Sequence, residues 1–179
     1  MSTATLMTIE EFARMETAET ERYELVDGEL VSVSSGMPIH GRLRDRMVTR
    51  FGNYFAHNRI GESFSETDCR IGDGTVRCPD LGIFLGERWR TIDAYTIPIP
   101  FAPDIAIEIL SPSERTMGTN RKVRDYLGAG SKEVWLVGHE NREVFVHTAK
   151  GARLLIAGDV LESPLLPGFS IAVSELFEL

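Results

Sequence analysis

Apolar spacing and helix-end signals predict three helices in this chain. From about residue 39 to residue 57, large apolar side chains recur every four residues, which is the period of an amphipathic helix with one buried face. These side chains are Leu43, Met47, Phe51 and Phe55. The segment TIEE at residues 8–11 has the pattern of a capping box and predicts a short helix. A further helix is predicted from about residue 119 to residue 127, ending at Gly128 or Gly130.

Shorter apolar runs between turn signals predict the strands. The run at residues 23–33 contains Asp27-Gly28 and predicts a hairpin. Two strand candidates, residues 62–72 and 76–85, flank the turn Asp73-Gly74, and the mostly apolar run at 103–111 suits a strand covered on both faces. Further strands are predicted at 133–138, at 143–148 and within 153–161, with an irregular loop at 86–101 and a terminal turn at 174–179.

This order of elements predicts a single mixed α/β domain over residues 1–179, with a central sheet flanked by helices. A chain of 179 residues with 42% hydrophobic residues can bury its own core. No apolar run approaches the roughly 18 residues that a membrane span needs, and the N-terminus lacks the features of a secretory signal. We therefore expect a cytoplasmic protein without a membrane partner. Cys69 and Cys78 lack zinc-site spacing and are expected to be reduced thiols near strands.

The charge distribution leaves two local basic segments in an acidic chain. A net charge of −8 argues against wholesale nucleic-acid binding, because affinity for phosphates comes largely from Lys and Arg. Basic residues nevertheless concentrate at residues 40–50 and 113–132. In the first segment Arg42, Arg46 and Arg50 lie near one stripe of the predicted helix. They could contact phosphates or form a solvated charged face.

Acidic residues interrupt the two most strand-like segments. Asp80 follows Pro79 at the start of one strand, Asp104 follows Pro103 at the start of the next, and Glu108 lies inside it. Removing a carboxylate from water is costly unless it has a partner. If the two strands are neighbours, Asp80 and Glu108 could converge as a hard oxygen site that suits Mg²⁺ or Mn²⁺. Asp104 is expected to cap its strand and remains an alternative ligand.

Two further groups could complete this metal site. The backbone carbonyl of Ile109 could add a third oxygen, and Lys122 on the following helix could orient water or stabilise phosphoryl charge. Simpler interpretations stay open for each group. Asp80 fits ordinary turn chemistry, Glu108 could pair with an arginine, and Lys122 could be a solvated helix lysine.

The order of these residues resembles the PD-(D/E)XK nuclease superfamily. Pro79-Asp80 is followed by IEIL around Glu108, then by SPS, then by Lys122 and Tyr126 before GSKEVWLV. Within the superfamily the chain resembles the Uma-type endonucleases of bacteria, from YELVDGEL to LLPGFSIAVSELF. The resemblance implies a restriction-endonuclease-like fold, a divalent metal and hydrolysis of phosphodiester bonds.

One position departs from the superfamily pattern. Its lysine normally stands two residues after the acid, a position that Leu110 occupies in this sequence. The resemblance to Uma-type sequences implies that Lys122 takes over this role. It also implies that Glu24 is an auxiliary acid near the metal and that His40 lies close to the site. Glu24 could equally be a hairpin acid, and His40 an ordinary residue at a helix start.

We therefore expect a Mg²⁺- or Mn²⁺-dependent endonuclease that acts on DNA, with Asp80, Glu108, Lys122 and Glu24 as catalytic residues. His40, Arg42, Arg46 and Tyr126 are assigned to the contact with nucleic acid, although Tyr126 is also expected to pack in the core. Cleavage of both strands of a duplex calls for two sites, so a homodimer is expected. Two alternatives remain: an inactive nucleic-acid- or protein-binding module on the same fold, and a structural or regulatory dimer whose acids pair with arginines.

Overall fold

The computed structural model describes residues 6–18, 21–33, 37–111 and 116–178. The helices are α1 (Ile9–Ala13), α2 (Pro38–His57), α3 (Thr116–Gly128) and α4 (Val173–Leu176). The strands are β1 (Arg22–Val26), β2 (Glu29–Val33), β3 (Gly61–Ser65), β4 (Cys69–Gly72), β5 (Thr75–Arg77), β6 (Leu81–Leu85), β7 (Ile105–Leu110), β8 (Glu133–Gly138), β9 (Glu143–Thr148), β10 (Gly151–Leu155), β11 (Val160–Glu162) and β12 (Ser170–Ala172).

A six-stranded mixed sheet forms the centre of the fold, as the sequence predicts. Its strand order is β10-β9-β8-β7-β6-β3, and among these strands only β7 and β8 run parallel. The helix α3 makes the crossover between β7 and β8, because parallel neighbours need a long connection. The expected adjacency of the two acid-bearing segments is confirmed, since β6 pairs with β7.

Helices cover both faces of this sheet. The odd-numbered residues of β7 pack toward α2, whose apolar stripe is the one predicted from the four-residue spacing. The even-numbered residue Ala106 packs on the opposite face with Val123 and Tyr126 of α3. A strand that is buried on both faces explains why residues 105–110 read as an almost continuous apolar run.

A second sheet, of order β2-β1-β5-β4, holds the predicted hairpin at Asp27-Gly28. Asp27 and Gly28 both have positive φ, as a two-residue hairpin turn requires. The predicted capping box is also confirmed, because the side chains and backbones of Thr8 and Glu11 bond reciprocally at the start of α1.

The strands predicted at residues 62–72 and 76–85 are each divided between the two sheets, so these two predictions were wrong in extent. The first divides into β3 and β4 at Glu66, which has a left-handed φ of 47°. The second divides into β5 and β6 at the segment that contains Pro79 and Asp80. The two breaks lie side by side, because Glu66 N donates to Asp80 O over 3.3 Å. Asp80 therefore leaves the regular ladder at this bend.

Smaller differences concern the element ends. The helix α3 begins three residues earlier than predicted, the loop at 86–101 contains a short 3₁₀ turn at Arg88–Thr91, and β12 was not predicted. Within the described residues, no helix combines the length and the apolar character needed to cross a membrane.

Candidate active site

A cleft of about 720 Å³ opens where the bend at Asp80 meets the end of β7. The first turn of α2, the segment after α1 and Lys122 of α3 also line it. Both acids predicted to bind metal, Asp80 and Glu108, face this cleft. The two acids meet because β6 and β7 are antiparallel neighbours. Asp80 directly precedes the start of β6, and Glu108 lies near the end of β7, so both lie at the same edge of the sheet.

Glu108 is a buried carboxylate with two side-chain donors. Only 4% of the residue is exposed, and its even position in β7 directs it toward α3. Lys122 Nζ lies 2.8 Å from Glu108 Oε2, and the Tyr126 hydroxyl donates to Oε1 over 2.8 Å. Lys122 and Tyr126 are one helical turn apart, so both reach the same carboxylate.

The surroundings of Glu108 destabilise its ionised form. The pKa of Glu108 is raised to about 7 as the net result of burial, which raises it most, the Lys122 ammonium, which lowers it, and the negative charges of Asp80 and Glu24, which raise it. A cation placed beside Asp80 and Glu108 would relieve this repulsion. The electrostatics of the cleft therefore favour a bound cation.

Asp80 is held from two directions. The backbone N–H of Ile109 donates to Asp80 Oδ2 over 2.6 Å, and His40 Nε2 lies 3.2 Å from Oδ1. In an extended strand the N–H and C=O of one residue point to the same side. The Ile109 carbonyl thus points to the side of Asp80, beyond the last pair of the β6–β7 ladder at Leu81 and Ile107.

This donor set fits a hard divalent cation. Each oxygen of Glu108 accepts one hydrogen bond and keeps a further lone pair, so hydrogen bonding does not prevent ligation. Among the described residues, no three His, Cys, Asp or Glu side chains form a metal-binding group. A metal at this position would therefore take its protein ligands from Asp80, Glu108 and the Ile109 carbonyl, and Mg²⁺ commonly keeps several waters in such sites.

The structure gives a physical reason for the apolar residue at position 110. Leu110 projects to the same face as Glu108 and packs in the cluster that α3 covers. The space beside the carboxylate is filled from α3 instead, by Lys122. A lysine therefore contacts Glu108 although β7 itself provides none.

Glu24 lies near the site, but both of its carboxylate oxygens already accept hydrogen bonds. Arg77 Nη1 donates to Glu24 Oε2 over 2.6 Å, and the backbone N–H of Cys78 donates to Oε1 over 3.2 Å. Both Glu24 and Arg77 are buried. Glu24 therefore acts on the site chiefly as the buried partner of Arg77.

Arg77 connects this acid to α3. Its Nη2 and Nε atoms lie 2.5 and 3.2 Å from Asp125 Oδ2, and Asp125 lies on α3 between Lys122 and Tyr126. One buried guanidinium thus joins β1, the end of β5 and α3. Sequence reasoning missed Arg77, since its two partners lie 53 and 48 residues away along the chain.

Arg42 and Arg46, which the sequence analysis assigns to the contact with nucleic acid, lie outside the cleft. Arg46 Nη1 donates to the backbone carbonyls of Glu175 and Leu176, and Arg50 pairs with the Glu175 carboxylate, so both hold α4 against α2. Neither Arg46 nor the exposed Arg42 is among the described residues that line the cleft. The residues of α2 that line the cleft are Pro38, His40, Gly41 and Arg44.

Burial and position bear on two further residues, Tyr126 and Asp104. Tyr126 is 0% exposed, so it offers no surface to nucleic acid and serves Glu108 instead. Asp104 begins β7 about 13 Å along the strand from Glu108, and its carboxylate accepts from Leu85 N over 2.8 Å. It caps the strand as expected and is too distant to share a metal with Glu108.

Two cleft residues, Arg22 and Arg44, were not selected from the sequence. Both contact Glu66, which lies at the bend beside Asp80. Cys78 also faces the cleft, and burial raises the pKa of its thiol, which keeps it protonated. This agrees with the expectation of a reduced thiol.

Comparisons with known proteins agree with this architecture. No curated protein matches the chain. A crystal structure of "a putative nuclease belonging to DUF820" from Anabaena variabilis superposes with a TM-score of 0.85 at 21% sequence identity, covering 96% of this chain and 97% of that one. At this identity the likeness shows a shared fold. The family model described as "Uma2: Putative restriction endonuclease" matches residues 9–174. The chain therefore belongs to the Uma2 family of putative restriction endonucleases.

Proposed function

We propose that this protein is a divalent-metal-dependent endonuclease that hydrolyses phosphodiester bonds in DNA. Membership of its family supports a nuclease-like function. The observation that carries the proposal is the contact between Lys122 and Glu108 beside Asp80, in a cleft that is open to solvent. Two carboxylates can hold a divalent metal and a nearby lysine can stabilise phosphoryl charge, so the cleft offers groups that metal-assisted phosphodiester hydrolysis can use.

In this proposal Asp80, Glu108 and the Ile109 carbonyl hold the metal. The chemistry that a divalent metal supplies at such a site is a lower pKa for water and partial neutralisation of the reacting phosphate. The protein's contribution is to fix the ligands in advance. Ile109 N and His40 hold Asp80, while Lys122 and Tyr126 hold Glu108, so neither carboxylate needs to reorganise.

Lys122 has a second role in this proposal. Its ammonium group lies at the cleft, next to the carboxylate that would face the substrate phosphate. A fixed positive charge there stabilises the additional negative charge that develops on the phosphoryl oxygens in the transition state. The partial burial of Lys122 strengthens this interaction, because the effective dielectric constant is lower than in water.

The clustering of acids in the cleft argues against the alternative of an inactive binding module. A module without chemistry gains nothing from burying Glu108 and clustering it with Asp80 and Glu24, since burial first and then the repulsion of these acids raise the pKa of Glu108. Perturbed carboxyl groups in a cleft are typical of functional sites. The described part of the chain carries one such site, so we propose that double-strand cleavage would require a homodimer.

Nicking of supercoiled plasmid DNA tests the proposal. The wild-type protein should convert plasmid to open circles with Mg²⁺ or Mn²⁺ and not with EDTA, and Glu108→Gln should abolish this conversion. Glu133→Gln is the matched control, because Glu133 is also a buried acid of the central sheet but bonds Trp135 Nε1. Plasmid binding without nicking by the wild type would favour the binding module. Equal nicking by Glu108→Gln would contradict the proposal.

A further inference from the structure

Two arginines from separate elements converge on one carboxylate oxygen in the cleft. Arg22 of β1 and Arg44 of α2 both direct an Nη1 atom at Glu66 Oε1, and the Arg44 contact is 2.6 Å. Arg22 also donates to the Cys78 thiol over 3.4 Å. All three charged residues line the same cleft as Asp80 and Glu108. Glu66 Oε1 therefore has two guanidinium partners, whereas a simple ion pair has one.

The carboxylate in this arrangement belongs to a residue in an unfavourable backbone conformation. Glu66 has a left-handed φ of 47°, which non-glycine residues rarely adopt, and its N–H donates to Asp80 O over 3.3 Å. Its side chain is partly exposed to solvent at 31%. The structure thus holds an anion between the two arginines at the bend that carries Asp80, and this anion has room to leave.

We propose that Arg22 and Arg44 form a binding site for a phosphodiester group of the nucleic-acid strand, which Glu66 occupies when no substrate is bound. This inference rests on the proposed function, since it assigns a substrate phosphate next to the one that is cut. A phosphodiester carries the same single negative charge as a carboxylate, so it can replace Glu66 between the guanidinium groups. Guanidinium groups suit phosphate oxygens because they present several N–H donors in one plane.

The surrounding charges favour this exchange. With Glu66 displaced, the Nη1 atoms of Arg22 and Arg44 are open to the strand, while Asp68, another cleft residue, stays close enough to interact with the charge of Arg22. Asp45 contacts Arg44 through Nε over 3.6 Å and is 76% exposed, so it leaves the Nη1 atom directed at the site. The first turn of α2 also lines the cleft and carries no acid, and a helix N-terminus adds positive potential for an anion.

Binding measured without cleavage tests the inference. The probe is a short fluorescein-labelled oligodeoxythymidylate, titrated by fluorescence anisotropy with Ca²⁺ or EDTA. Glu66→Gln should tighten binding several-fold, because it removes the competing charge. Arg22→Gln and Arg44→Gln should weaken binding, and each should reduce the slope of log K against log salt by about one unit. Arg44→Lys, which keeps the charge, should retain the slope.

Arg70→Gln is the matched control. Arg70 pairs with Asp73, and its side chain is 44% exposed, as is that of Arg22, but it does not face this cleft. Losses equal to those of Arg70→Gln, no gain in Glu66→Gln, or no binding by the wild type would each overturn the inference. Arginine-dependent binding by a protein that cuts nothing would support the anion site and contradict the proposed hydrolysis. Metal-dependent cutting by a protein whose binding does not depend on these arginines would support the proposed hydrolysis and contradict the anion site.

Discussion

Lys122 Nζ lies 2.8 Å from Glu108 Oε2, although the lysine belongs to α3 and the acid to β7. The contact exists because α3 covers the face of the sheet to which the even-numbered residues of β7 project. An apolar residue at position 110 is compatible with catalysis for the same reason. The strand provides the acid and a packing residue, and the helix provides the cation.

Replacing Lys122 with methionine keeps the aliphatic part of the side chain and removes the charge. We expect metal-dependent nicking to fall by about 100- to 1,000-fold, the usual cost of removing one group that stabilises transition-state charge. Lys132→Met is a suitable control, since Lys132 is exposed and follows the end of α3. Similar rates for the two variants would show that Lys122 is an ordinary helix lysine.

The Tyr126 hydroxyl should matter for stability through Glu108. Tyr126→Phe leaves one oxygen of a buried carboxylate without its donor, which costs about 1–3 kcal/mol of the free energy of unfolding. The loss should be measured by urea denaturation of the metal-free protein. Tyr54→Phe provides the comparison, because the Tyr54 hydroxyl donates to Pro167 O at an exposed position and should cost much less. Equal costs would contradict the role assigned to Tyr126.

Among the charged residues that the structure describes, we expect replacement of Arg77 to lower the free energy of unfolding most. Arg77→Met leaves Glu24 and Asp125 without their shared cation, and breaking a buried ion pair from one side costs about 3–5 kcal/mol. Arg90→Met removes an exposed arginine paired with Glu87 and should cost less than about 1 kcal/mol. Urea denaturation distinguishes the two, and a small effect of Arg77→Met would show that the buried network is dispensable.

The raised pKa of Glu108 predicts opposite pH effects on metal binding and on stability. The folded pKa of about 7 exceeds the ordinary 4.5 because of burial first, and then the charges of Asp80 and Glu24. Mn²⁺ requires the ionised acid, so affinity should rise about tenfold per pH unit below 7 and then level off. The unfolded chain ionises first, so the metal-free protein should lose stability as pH rises from about 4.5 to about 7.

Calorimetric titrations with Mn²⁺ and urea denaturation at several pH values measure these two trends. Glu108→Gln should show a flatter dependence of stability on pH over the same window. An unchanged decline in this variant would assign the pH effect to another group.

The sequence predicts those parts of the fold that repeat a local pattern. The four-residue spacing of α2, the capping box at Thr8 and the hairpin at Asp27-Gly28 are all local, and the structure contains each of them. The continuous apolar run of β7 also predicts a strand that is covered on both faces. The order of Asp80, Glu108 and Lys122 along the chain, together with the family resemblance, selected three groups that meet in one cleft.

The remaining features depend on contacts between distant residues. The division of two predicted strands follows from the bend where Glu66 meets Asp80, and strand propensity continues across that bend. Arg77 and the pair Arg22 and Arg44 act through partners more than 20 residues away. Arg46 lies on the helix that the sequence predicts, but its partners come from α4, more than 100 residues further along the chain.

The central claim is that Asp80 and Glu108 together hold a divalent metal in this cleft. Calorimetric titration of Mn²⁺ into the wild type, Asp80→Asn and Asp104→Asn tests it most directly, because Asp104 is an acid of similar sequence context that caps β7 away from the site. We predict that the wild type and Asp104→Asn bind Mn²⁺ with similar affinity and that Asp80→Asn loses binding. Binding that survives in Asp80→Asn, or is absent from the wild type, would contradict the account.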